Sequence, residues 1–299
     1  MFTKSTLKIP SFHAGWDLDV WQYLPTAETS KPLPVIVMAH GFGANKTMGL
    51  SHYAEAFSAA GYACLVFDYR RWGASDGTPR QVLVVNEQLE DYRTVIKYAR
   101  QQAHFDPQRL VVWGSSFSGG HSITLSSEAN LNPVAAIAQC PYTGLTAANS
   151  PLWYLKIAAY SAVDLLKQAL NLSPVYIPII SEPGTLGALT SEGTVPGMMA
   201  IVASESPYQN EISASSLLQV PGYQPMKNAK QVTCPLLIVL PSEDNLCLPE
   251  GAHHIAKTTT KCELVSVSGA GHFDVYHGQP YHAESLSAQL EFLKKHVPV

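Results

Sequence analysis

An alternation of segment types constrains the fold most. Short, continuous apolar runs recur along the chain: LPVIVMAHG (33–41), YACLVFDYR (62–70), RLVVWG (109–114), PVAAIAQCP (133–141), PLLIVLPS (235–242) and CELVSVSG (262–269). Between them lie segments of helical character at 46–61, 82–102 and 117–129, and a further one, 283–297, follows the last run. In 82–102, Leu89, Tyr92, Val95, Ile96 and Ala99 fall on one helical face. Strands that are apolar at successive positions bury both faces, which requires a parallel sheet covered by helices on either side. The expected class is α/β: a mostly parallel sheet flanked by helices.

One segment breaks the rhythm. Residues 143–230 separate two consecutive sheet strands and carry a helical patch, PLWYLKIAAYSAVDLLKQAL (151–170), and a Pro/Gly-rich stretch, SEPGTLGALTSEGTVPG (181–197). A loop of that length is uncommon unless it is functional, and its Leu, Tyr, Ile and Met content argues against a disordered linker. It reads as an inserted helical cap over one edge of the sheet. The core is then 1–142 with 231–299, and the cap 143–230.

Composition narrows the function classes. The chain has 299 residues, 46% hydrophobic and 14% charged, with a net charge of −4. No basic run exceeds two residues, so nucleic-acid binding is not expected. Five scattered cysteines form no CxxC pair, which points away from a disulfide framework or zinc site and toward a reducing, cytoplasmic setting. The first fifteen residues, MFTKSTLKIPSFHAG, lack the apolar centre of a signal peptide, and no run reaches membrane-spanning length. Asn-x-Ser/Thr matches at Asn45 and Asn171 are read as chance.

The stretch VVWGSSFSGGH (111–121) carries the chemistry. It places three serines between a strand and a helix, at the C-terminal end of the strand, where open parallel sheets bind ligands. A nucleophile on a sharp strand-to-helix turn needs small neighbours, which is the physical content of the G-x-S-x-G elbow. Gly114 sets Ser116 at the centre; Ser118 stands where the motif has glycine. Ser115 and Ser118 are read as structural. The order for this arrangement is serine, acid, histidine. Glu243 and Asp244 follow the 235–242 strand, and His272 follows the 262–269 strand in SGAGHFDVYHG. Asp244 is preferred to Glu243 because it opens DNLCLP, the run into the next helix; Asp274 is expected to point away. Oxyanion donors are expected from the backbone N–H groups of Phe117, after the nucleophile, and Phe42, in the His40-Gly41-Phe42-Gly43 loop. Rival readings fail. Gly41-x-Gly43 lacks the third glycine of a dinucleotide fingerprint, and Lys46-Thr47 lacks the preceding glycine of a P-loop. His253 and His254 are adjacent, so on a helix they diverge and are no metal pair.

The chain resembles the α/β-hydrolases over nearly its whole length. FDYRRWGASDGTPR, EQLEDYRTVIKYAR, WGSSFSGGH and GAGHFDVYHG further resemble the fungal polyketide transferases and trans-acting polyketide hydrolases. That resemblance implies acyl transfer, thioester hydrolysis or lactone formation in secondary metabolism. The implied substrate is an ester or thioester, presented by a polyketide synthase carrier protein. Neither metal nor organic cofactor is required. It matches position by position at Ser116, Asp244 and His272. Two alternatives remain: a general small-ester carboxylesterase, and a non-catalytic ligand-binding protein on the same fold. The presence of all three candidate residues argues against the second. Within 151–170, Leu152, Leu155, Ile157, Tyr160, Val163 and Leu166 are expected to form an inward apolar face, about half of them packing the cap onto the core and the remainder, with Trp153 and Tyr154, lining a substrate tunnel. The sequence leaves the oligomeric state open.

Overall fold

The computed structural model describes residues 1–26 and 31–299. The apolar runs form β3 (Leu33–Ala39), β4 (Ala63–Phe67), β5 (Phe105–Ser115), β6 (Ala135–Gln139), β9 (Leu236–Pro241) and β10 (Cys262–Val267). Two further strands, β1 (Phe2–Pro10) and β2 (Asp17–Pro25), precede them. The eight strands make one sheet in the order β1-β2-β4-β3-β5-β6-β9-β10. From β4 to β10 all neighbours are parallel; β2 joins β4, and β1 joins β2, antiparallel. The central strands are buried throughout, as their uninterrupted apolar sequence requires.

The hairpin β1–β2 was not foreseen. Phe2–Pro10 reads FTKSTLKIP, polar at most positions, and only Ile9 in it is fully buried. Such a strand gains its place from backbone pairing at the sheet edge, where lysines also discourage a further strand.

Helices α1 (Leu50–Ala59), α2 (Val85–Gln101), α3 (Phe117–Ser126), α6 (Pro249–Thr258) and α7 (His282–His296) connect and cover the strands. Trp113 of β5 anchors one side: its ring lies 5.6 Å from that of Tyr53 on α1, and its Nε1 donates to Gln289 of α7 at 2.6 Å. Between β6 and β9 the chain forms α4 (Pro151–Ala169), a two-stranded ribbon of β7 (Tyr176–Ile177) and β8 (Ile212–Ser213), α5 (Thr194–Ile201), and two 3₁₀ turns, Ala214–Gln219 and Pro225–Gln231.

His121 on α3 is fully buried, with Nδ1 against the Tyr223 hydroxyl at 2.7 Å and Nε2 against Gln88 Oε1 at 2.9 Å. Burial pushes its pKa down to about 3. The folded state thus holds a neutral ring, while the unfolded chain takes up a proton below its ordinary value of about 6.5. The stabilisation is complete above that value and is lost as pH falls toward the folded pKa. Urea midpoints should therefore decline across this acidic window, and less steeply in His121→Gln. Identical pH profiles for the two proteins would rule this out.

Candidate active site

Ser116 stands between β5 and α3 with φ of 56°, a left-handed conformation that a serine adopts only under constraint. The turn is tight. A Cβ added to Gly114 would lie 1.8 Å from the carbonyl oxygen of Ser118, so this position must be glycine. Ser116 N donates to Gln139 O at 2.9 Å, and Tyr142 N donates to Ser116 O at 2.8 Å, fixing the elbow from both sides. The N–H of Phe117 opens α3 and so lacks an intrahelical acceptor.

The structure brings together the three residues drawn from distant parts of the sequence. His272 Nε2 lies 3.0 Å from Ser116 Oγ, and His272 Nδ1 lies 2.7 Å from Asp244 Oδ2. Asp244 is buried, and its Oδ1 accepts from Leu246 N at 2.9 Å and Cys247 N at 2.8 Å. Glu243, its neighbour, is exposed. Asp274 does not face the imidazole; its Oδ2 accepts from Gly271 N at 2.8 Å and so shapes the loop that carries His272.

The loop after β3 packs directly on the elbow. A Cβ on Gly41 would lie 2.8 Å from Ser116 Cβ, so residue 41 must also be glycine. Ser118 explains its own presence in the motif: its hydroxyl donates to the His40 carbonyl and pairs with the Tyr69 hydroxyl at 2.6 Å. Lys46 is buried between Asp19, at 2.6 Å, and Asp68, at 2.5 Å, so it clamps this loop to β2 and to the turn after β4. Phe42 and Phe117 meet edge to face at 5.6 Å beside Ser116.

Above Ser116 lies a cavity of about 770 Å³. Phe42, Phe117, Trp153, Tyr154, Ile157 and Phe273 are among its walls, and no Asp, Glu, Lys or Arg of the described residues lines it. Trp153 is held by its Nε1 donating to Gly187 O at 2.9 Å. The expected apolar face of 151–170 is corrected here. Of the six residues assigned to it, only Ile157 is buried and reaches the cavity; Leu152, Leu155, Tyr160, Val163 and Leu166 face solvent. The inward side of α4 is instead polar, with Ser161 and Asp164 buried.

Sequence reading missed Cys247. Its thiol contacts Ser116, and burial pushes its pKa well above the ordinary thiol value, so it stays protonated. Asp244, Cys247 and His272 each offer a ligand atom within 4.8 Å of the others. A metal there would displace the bonds that Asp244 and His272 already make. The signal was available in DNLCLP, where Cys247 follows the acid by three residues.

A largely parallel sheet with a serine on a strand-to-helix turn, an acid and a histidine after later strands, and a loop packed on the serine is the architecture of an α/β-hydrolase. More narrowly, the chain belongs to the serine aminopeptidase (S33) family, whose pattern it matches over residues 30–273. It is 36% identical to the "Quorum-quenching protein AidA" of Acinetobacter baumannii over 281 residues, 93% of this chain and 90% of the relative. It is 29% identical to the "Polyketide transferase ATR5" of Stachybotrys chlorohalonatus over 268 residues, 88% and 89% of the two chains. The crystal structure of the α/β hydrolase GrgF from Penicillium sp. sh18 superposes with a TM-score of 0.84 at 23% identity, covering 99% of this chain and 100% of that one. Among the described residues no helix is long and apolar enough to cross a membrane.

Proposed function

We propose that the protein transfers or hydrolyses the acyl group of an ester or thioester, with Ser116 as nucleophile, His272 as base and Asp244 as its orienting acid. The observation that carries this reading is the unbroken Ser116–His272–Asp244 hydrogen-bond chain at the foot of the uncharged cavity. His272 Nε2 takes the Ser116 proton as Oγ attacks the carbonyl carbon, and Asp244 stabilises the imidazolium. The N–H groups of Phe42 and Phe117 hold the oxyanion. As the tetrahedral intermediate collapses, the leaving alkoxide or thiolate receives the proton back from His272. Water or a hydroxyl, deprotonated by His272, then attacks acyl-Ser116, and as this second tetrahedral intermediate collapses His272 returns the proton to Ser116 Oγ.

The absence of charged groups among the cavity's described walls favours a neutral, medium or long apolar acyl chain. The similarity to polyketide transferases supports a thioester donor, including one on a carrier protein. We treat 143–230 as a cap that excludes water from the acyl-enzyme. Five free thiols, four of them buried, favour a reducing compartment such as the cytoplasm.

The test is intact-mass measurement after incubation with acyl esters and N-acetylcysteamine thioesters, with the added acyl mass expected on Ser116. No acylation from any donor would instead favour a ligand-binding protein. Turnover of p-nitrophenyl esters should rise from acetyl to octanoyl. Trimming Trp153 or Tyr154 to alanine should shift that preference more than it lowers the rate on acetate. A sharp preference for acetate in the wild type would leave a small-ester carboxylesterase.

A further inference from the structure

Helix α4 is built inside out. Of its three buried residues, Ile157, Ser161 and Asp164, the two polar ones are hydrogen-bonded: Ser161 Oγ donates to Ala214 O at 2.9 Å, and Asp164 accepts from Val175 N and Ser215 N, both at 2.8 Å. Its outward face is apolar. Leu152, Leu155, Ala159, Ala162, Leu166 and Leu170 are all exposed, with Leu155 at 67% and Leu170 at 62%. At 100° per residue these six fall on one stripe opposite Ile157 and Asp164. The helix spans about 28 Å. An apolar strip of this continuity on a single chain marks an interaction surface.

We infer that the stripe docks a second copy of this chain, α4 against α4, antiparallel about a two-fold axis. The stripe reads alike from either end. About a midpoint between Tyr160 and Ser161, Leu155 stands opposite Leu166 and Ala159 opposite Ala162, and Leu152 and Leu170 lie one residue off mirror positions at the two ends. The alanines at the centre allow close approach of the two axes, while leucines at each end fill the space beside the partner's. Such self-complementarity is what an isologous contact demands; a lipid surface or an unrelated protein demands no such pattern. Helices that lie on membranes carry Lys and Arg along an exposed polar face, whereas here the polar face is turned inward and the flanking cations are Lys156 and the half-buried Lys167. The paired strips supply the apolar centre of an interface whose usual size is about 800 Å² per partner.

The pairing also bears on the cavity. Tyr154 and Ala158 line it and border the stripe on one edge. A second copy on the stripe therefore lies against the Ala158 side of the cavity wall. On the opposite rim, Lys156 meets Lys167 of the partner subunit in solvent, so added salt should strengthen association by screening.

The test is sedimentation equilibrium of the whole protein and of the Leu155→Glu/Leu166→Glu variant, with circular dichroism of both. The changed side chains are solvent-exposed in the single chain, so the variant should fold and melt like the wild type. The expected result is a two-copy mass for wild type and a one-copy mass for the variant. Mixing Leu155→Cys with Leu166→Cys copies should give a disulfide-linked pair under oxidation that Leu155→Cys alone does not. The inference is overturned by a one-copy wild type, by a dimer that survives the double substitution, or by self-cross-linking of Leu155→Cys. Binding of single copies to phosphatidylserine vesicles, lost in the double variant, would overturn it in favour of a lipid surface.

Discussion

Replacing Ser116 by alanine is expected to cut ester or thioester turnover by about 10³-fold or more, with the fold unchanged. The two neighbouring serines should behave differently, although all three lie within five residues. Ser115 Oγ points into a buried network, 2.6 Å from the Tyr276 hydroxyl and 3.2 Å from Gln139 Nε2. Ser118 ties the His40 carbonyl to Tyr69. Neither hydroxyl bonds to His272. Alanine at either position strands buried polar partners, at a cost of about 1–3 kcal/mol in stability. Turnover there should stay within about tenfold of wild type, equivalent to about 1.4 kcal/mol. Measuring kcat/KM together with unfolding free energy separates the two classes. Near-full activity in Ser116→Ala, or a Ser118→Ala variant equally inactive, would remove Ser116 from its role.

What could be read from sequence follows from how locally each feature is encoded. Runs such as LLIVLP in Leu236–Pro241 announce themselves because burial on both faces forces unbroken apolar sequence. The edge strand Phe2–Pro10 buries little and therefore leaves no such mark. The order of Ser116, Asp244 and His272 was legible because each follows a recognisable strand. Their actual approach, through His272 at 3.0 and 2.7 Å, depends on loops shaped by Asp274 and by the N–H groups of Leu246 and Cys247. The periodicity of 151–170 identified a helix, but periodicity gives no direction. The apolar stripe was assigned inward by default, and Ser161 and Asp164 reversed it through hydrogen bonds to residues up to 53 positions away. The motif position of Ser118 looked like a defect in the elbow. The tight contact lies at Gly114, so the fifth position has room for a hydroxyl.

Asp244→Asn should reduce turnover by about 10⁴-fold, as loss of the acid's charge does in the serine-protease template, while the protein folds normally. The direction follows from the three donors around the carboxylate. Oδ1 accepts from the backbone N–H groups of Leu246 and Cys247, which are always donors. In the asparagine variant only the amide oxygen can occupy that place, so the amide NH₂ is turned toward His272 Nδ1. That nitrogen must then accept, which moves the imidazole proton to Nε2, 3.0 Å from Ser116 Oγ. A protonated Nε2 cannot take the serine proton, so the base is lost although every heavy atom stays in place. Glu243→Gln supplies the control, because Glu243 is exposed and its Oε atoms lack this cradle. Its turnover should match wild type. Should Glu243→Gln prove the more damaging change, the acid of the site would be Glu243, and the hydrogen-bond geometry around Asp244 would have only a structural purpose.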